Sequence, residues 1–429
     1  MNKSLKTILL AALSISLTLQ CTQAMKREID EDNGIISIKK KYKKEDEFFF
    51  QSLPVDLQEE IVVSFSNSVQ FLQPLEAVCK LWGTFIKKRM SGNTPHQYLY
   101  LDLMSNDQIK NKHILKFINL TSLSVGLDTK ITDVSIKKLT NLRRLNLSGN
   151  IRITDNGIKG LTSITELNLY RNNMITDEGI KGLVRLTSLD LTFFSLTGNR
   201  ITDRGVKRLT TLTELNLSKN TSITDEGIKN LVRLTSLDLR RNRKIKNKGI
   251  DNLTNLTCLI LTVNRTIEND GLKNLTNITN LDLSCNHCIT DEGITSLTSL
   301  ASLNLARNDT ITDDGIKHLA NLTALNLEGN DTITNEELKN FTNLTLLDLS
   351  KNEKITDNTI KNFTNLNTLS LNKNDTITKE GLKNLTNLTV LDLACNPKIT
   401  DTGIKNLTNL RALNLEGNDT VTNQGLNNL

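Results

Sequence analysis

Histidine and cysteine are the side chains best suited to acid–base, nucleophilic or metal chemistry, and their spacing in this chain supports none of it. His96, His113, His287 and His318 are scattered along 429 residues, and no Gly-rich phosphate loop opens a helical pattern. Cys285-Asn286-His287-Cys288 is spelled like half of a zinc site, but no second pair follows at ligand spacing. Five cysteines lie beyond the first 24 residues (Cys79, Cys258, Cys285, Cys288 and Cys395), an odd number without a disulfide pattern. The sequence therefore predicts no catalytic group, no cofactor and no metal. With 53 basic against 47 acidic residues the net charge is +6, small for this length, and it makes no electrostatic case for nucleic acid as the main partner. What remains is a protein whose work is binding.

The elements that would position a binding surface are written in the leucines. Leu101, Leu123, Leu145, Leu167 and Leu189 recur every 22 residues, and so do Leu215 through Leu413 after a four-residue insertion. The unit reads L-x-x-L-x-L-x-x-N-x-x-I-T-D-x-G-I-x-x-L-x-x, as in Leu212, Leu215, Leu217, Asn220, Ile223, Gly227, Ile228 and Leu231. Positions four and six straddle a solvent-facing residue, the period-two alternation of a half-buried strand. Position nine is Asn in thirteen of fifteen units, and its amide can donate and accept at once, so the asparagines are expected to form an internal ladder along the buried turns. Thr224-Asp225 caps a helical return of one or two turns, whose inner face carries Ile228 and Leu231. One unit cannot bury its leucines alone, but stacked units share a continuous core.

This pattern resembles the leucine-rich repeat family over about three quarters of the chain. The expected fold class is α/β: a leucine-rich repeat solenoid at 93–429, a curved parallel sheet with short outer helices, preceded by a small all-α domain. Position five of each unit is mostly Asn or Asp and reads as a polar stripe on the concave face, with Asn168, Asp190, Asn216, Asp238 and Asp282 as candidate target-binding residues. Position eight carries Arg171, Lys219, Arg241, Arg307, Lys351 and Lys373, expected to face that stripe and pair with it. The insertion brings Phe193 and Phe194 beside the concave rim, either as exposed anchors or folded back as a packing cluster. Arg240 and Arg241, with Arg243 and Lys244, make the densest basic patch of the array. No recognisable cap follows the final repeat, so a frayed or self-associating end is expected.

The first hundred residues have another grammar, holding ten of the sixteen aromatics and three of the four prolines. Lys3 and Lys6 precede an apolar run from Ile8 to Leu19, and Thr22-Gln23-Ala24 offers small residues for cleavage, so 1–24 reads as a secretory signal peptide. The run falls short of the ~20 residues a membrane-spanning helix needs. Leu17 to Cys21 loosely resembles a lipobox, with Gln20 where that motif has a small residue. Residues 25–47 alternate dense charges and read as a flexible linker.

From 48 to 92 apolar residues fall at helical spacing, Leu57 with Ile61 and Val78 with Trp82. Leu53, Pro54, Asp56, Leu57 and Ile61, then Val78, Cys79, Lys80 and Trp82, resemble the two halves of the F-box. That resemblance implies an adaptor of a cullin-RING ubiquitin ligase. Leu53, Pro54, Ile61, Leu75, Val78 and Trp82 would dock on the Skp-family linker subunit while the repeats hold a target protein. A secretory leader beside a cytosolic eukaryotic module implies a bacterial protein delivered into host cytoplasm. The alternative is an extracytoplasmic binding or adhesion protein whose N-terminal helices only cap the solenoid. Sequons such as Asn216-Leu217-Ser218 at positions without room for a sugar argue against a glycosylating export route.

Overall fold

The computed structural model describes residues 100–104, 109–115, 117–127, 129–193 and 200–427. Leu at positions four and six, with polar residues between, makes each unit a strand of three or four residues, from Tyr100–Leu103 and Ser122–Val125 to Ala412–Asn414. Fifteen strands lie side by side in sequence order in one parallel sheet. The register pairs equivalent leucines, Leu215 with Leu237 and Leu237 with Leu259, and it holds across the insertion, where Leu189 pairs with Leu215. A one-residue slip would turn every leucine to solvent, so burial of one face enforces this register.

Each strand is followed by a single helical turn of four residues, such as Asp225–Ile228, at the short end of the expected range. Thr224 caps it by accepting from the Glu226 backbone N–H at 3.3 Å. Between sheet and helices runs one aliphatic core in which Leu212, Leu217, Ile223, Ile228 and Leu231 are fully buried, and their equivalents repeat along the array. In the last repeat, Leu413 and Leu415 are only partly buried against that core.

The asparagine ladder is present and follows one pattern. Asn242 donates from Nδ2 to the Leu217 and Asn220 carbonyls at 3.0 and 3.2 Å, and its Oδ1 accepts from the Lys244 and Ile245 N–H groups at 2.8 and 2.9 Å. One side chain thereby satisfies four backbone groups of two successive turns. At the insertion, where Phe194 stands in the asparagine position, Asn220 reaches the Leu191 carbonyl at 3.1 Å.

A second clasp joins the helical turns. The Asp203 carboxylate accepts from the backbone N–H and hydroxyl of Thr224, in the next repeat, at 2.7 and 2.6 Å. The same pair recurs as Asp155 with Thr176 and Asp313 with Thr334. This clasp explains the glycine at position sixteen: a Cβ on Gly227 would sit 2.5 Å from Asp203 Oδ1 and 2.9 Å from Ile223 Cγ2. Gly227→Ala is expected to open the clasp and lower stability by about 1–3 kcal/mol, as overpacking does, measured as a lower urea midpoint at unchanged slope.

Four described repeats lack this glycine, with His113, Ser135, Glu337 and Thr359 in its place. Ser135 and Thr359 instead donate their hydroxyls to Asn111 and Asn335 Oδ1, at 2.8 and 2.7 Å. Glu337 has no such compensation, and its turn, Asn335–Leu338, packs less closely against both neighbours. In the Glu337 and Thr359 repeats the inner Leu is replaced by Phe341 and Phe363, both buried, so larger rings fill the wider space.

Candidate functional site

Strand alternation places positions three, five and seven on the concave face; positions three and five are half-buried in most repeats, and position seven ranges from buried at Ser218 to exposed at Arg240. The position-five residues are not simply a solubilising stripe. Oδ1 of Asn168, Asp190, Asn216, Asp238 and Asp282 accepts from the backbone N–H two residues on, at 2.8–2.9 Å. That bond closes the strand end as an Asx turn. Asn and Asp serve equally as acceptors, so the choice between them sets the charge of the face without altering the backbone.

The following turn is sharp. Position eight is in the left-handed region in Arg171, Lys219, Arg241, Arg307, Lys351 and Lys373 (φ 51–57°), as it is in Gly149, Gly329 and Gly417. A non-glycine residue costs about 1–2 kcal/mol there. Arg241→Gly is therefore expected to raise stability by about 0.5–1 kcal/mol, read as an upward shift of the urea midpoint. The expected pairing of these cations with the position-five stripe needs correction. Arg307 and Lys351 both bind Glu328, a position-seven residue, at 2.9 and 2.8 Å. The left-handed turn carries position eight past the strand end, so its side chain meets the rim. Arg171 stacks over the Tyr170 ring at 5.0 Å. Arg240, at position seven, does reach the stripe, 3.7 Å from Asp238.

Across the strands from Ser122–Val125 to Cys258–Ile260 runs a groove of about 460 Å³. Its lining carboxylates are Glu166, Asp190, Glu214 and Asp238, one on each of four successive strands and alternating between positions three and five. The one lining cation, Arg144, lies 3.5 Å from Glu166. Burial pushes the Asp238 carboxyl above the usual range; the Arg240 N–H and guanidinium oppose the shift, and the charges of Asp190 and Asp282 add to it. Further along the sheet, position three turns apolar at Ala324, Leu346 and Val390.

The groove gathers Asn168, Asp190, Asn216 and Asp238. Asp282 lies one strand beyond its last lining residue, Ile260, and Arg240 and Arg241 stand at the exposed rim. Of the two courses open to it, Phe193 takes the packed one: it is 5% exposed and its N–H donates to the Ser218 carbonyl at 3.3 Å, continuing the sheet's bonding before the insertion departs. Phe194 lies outside the described residues, as do Leu53, Pro54, Ile61, Leu75, Val78 and Trp82.

Glu166 and Glu214 are groove residues that attention to position five alone missed, although the period-two alternation already put position three on the same face. His287 binds Asp309 and takes no part in a metal cluster; among the described residues no three metal-ligating side chains converge. No helix among them is long and apolar enough to cross a membrane.

The leucine-rich repeat family profile matches twelve segments between residues 138 and 429, covering more than half of the chain. No curated protein matches. Among solved structures, an internalin from Listeria monocytogenes is 26% identical, with 70% of this chain and 82% of that one covered and a TM-score of 0.43. The TLR13 chain of a complex with single-stranded RNA is 20% identical, with 76% of this chain and 62% of that one covered and a TM-score of 0.45.

Proposed function

This chain belongs to the leucine-rich repeat family, and from that premise we propose that it is a non-enzymatic protein-binding scaffold. A target protein sits in the concave groove between Ser122 and Ile260. The observation that carries this reading is a half-buried, charged groove across several strands, on a sheet that needs none of those charges to hold its leucines together. A rigid curved face of this kind offers pre-organised contacts, which lowers the ordering cost of binding.

The finer reading is an adaptor. The F-box-like segment 48–92 docks on a Skp-family linker of a cullin-RING ligase, and the repeats present the target for ubiquitin transfer carried out elsewhere in the assembly. The motif halves at Leu53–Ile61 and Val78–Trp82 support it. Together with the leader-like run Ile8–Leu19 they support a bacterial origin and delivery into host cytoplasm. Pull-down of the full chain with the Skp-family subunit is the test. Leu53→Ala combined with Trp82→Ala is expected to abolish recovery, and undiminished recovery would remove the docking role.

The same leader-like run, taken alone, favours a second reading: an extracytoplasmic binding or adhesion protein. Cell fractionation separates the two, since retention at the bacterial surface favours adhesion and appearance in host cytosol favours the adaptor.

A further inference from the structure

We infer that the groove selects a polypeptide segment carrying a row of cations on one edge and a row of carboxylates on the next, laid across the strands over Glu166, Asp190, Glu214 and Asp238. The inference rests on the scaffold reading and names the chemistry of what that scaffold holds.

Two independent features of the concave face lead to it. The floor carries one carboxylate on each of four successive strands, and the only lining cation is already beside Glu166. Beside this floor, the rim carries Arg171, Lys219 and Arg241 at a position where Gly149, Gly329 and Gly417 make the same turn without steric cost. Val263, Cys285 and Cys395 make the same left-handed turn, so the turn belongs to the repeat, and what distinguishes this stretch is that its non-glycine residues there are long cations. The face thus presents an anionic row and a cationic row side by side. A polyanion such as nucleic acid is repelled by the floor, and a uniform polycation by the rim.

Spacing selects the conformation of the occupant. Asp190 and Asp238 are two strands apart, as are Glu166 and Glu214, which puts the members of each pair about 10 Å from one another. A polyproline II segment brings every third side chain to the same edge, about 9 Å along its axis. Arg or Lys at every third residue therefore meets successive carboxylates of one row, and acidic residues at the next position face the rim. Burial raises Asp238 despite Arg240 at 3.7 Å, with Asp190 and Asp282 adding to the shift, so a further cation placed there offsets the charge of the floor.

The test is calorimetric titration of the full chain with a synthetic peptide of repeated Arg-Glu-Pro, against a peptide of the same composition with its arginines contiguous. The repeated peptide is expected to bind, and the contiguous one to bind at least about tenfold more weakly. Asp190→Asn with Asp238→Asn keeps the backbone-accepting oxygen, as Asn168 and Asn216 do naturally, and is expected to weaken binding about tenfold. Arg241→Gly is expected to weaken binding while raising stability, a combination that misfolding cannot produce. Equal binding of both peptides, indifference to the floor and rim variants, or displacement by an oligonucleotide would overturn the inference. Cross-links from the repeated peptide to Leu346 or Val390 in place of the groove would also overturn it, yet leave the scaffold reading standing.

Discussion

Asn242→Ala is expected to lower the stability of the repeat array by about 4 kcal/mol and to shift its urea midpoint down accordingly. The side chain is fully buried and serves four backbone groups: the Leu217 and Asn220 carbonyls and the Lys244 and Ile245 N–H groups. Truncation leaves those groups in a site closed to water, each costing about 1–3 kcal/mol when unpaired, partly offset where neighbours relax. Asn242→Asp is the discriminating control. It retains the acceptor toward Lys244 and Ile245 but sets a carboxylate oxygen against two carbonyls, so it should be at least as damaging as alanine. If the aspartate variant matched the native midpoint, the amide donors would have no structural role. Because stability in a stacked array is a sum of units and nearest-neighbour interfaces, hydrogen exchange should rise first in the repeats around residue 242.

Leu237→Ala should cost about 2–5 kcal/mol. Leu237 is fully buried and stands in register between Leu215 and Leu259, so the cavity would open in the centre of the sheet's leucine row. The backbone on both sides is held by strand pairing and by the asparagine ladder, which restricts collapse into the void and favours the upper part of that range. The same substitution at Leu413, which is only partly buried, should cost clearly less. Equal losses at the two sites, measured by chemical denaturation, would mean that neither the depth of burial nor the cavity sets the cost.

These two variants sit on features that could be read in advance, and the reason is that both are local. The leucine period defines the strand faces, and an asparagine recurring in a turn that must be buried has a limited set of jobs. The Asp203–Thr224 clasp is not written in one repeat. Thr224 looks like a helix cap and is one, but its second role needs a carboxylate 21 residues earlier, brought alongside only when repeats stack. Gly227 follows the same logic, since its missing Cβ makes room for the neighbour's Asp203 and not for any feature of its own turn. The choice between exposure and packing for Phe193 was open in the sequence for a related reason: the insertion begins inside a strand-end turn, and only the sheet decides which of its residues still pair before the loop departs.

The amino-acid order by itself determined that this chain is a leucine-rich repeat solenoid with an in-register parallel sheet. Periods of two and twenty-two residues are carried by covalent spacing, and burial of leucine admits only one stacking of them. Tertiary structure alone decided how the charges are distributed. It bounded the groove around four of the concave-face carboxylates, sent the position-eight cations to the rim through a left-handed turn, and paired Arg307 and Lys351 with Glu328. Electrostatic neighbours depend on distances between repeats and on where a backbone turn releases each side chain, and neither quantity is written in any single repeat.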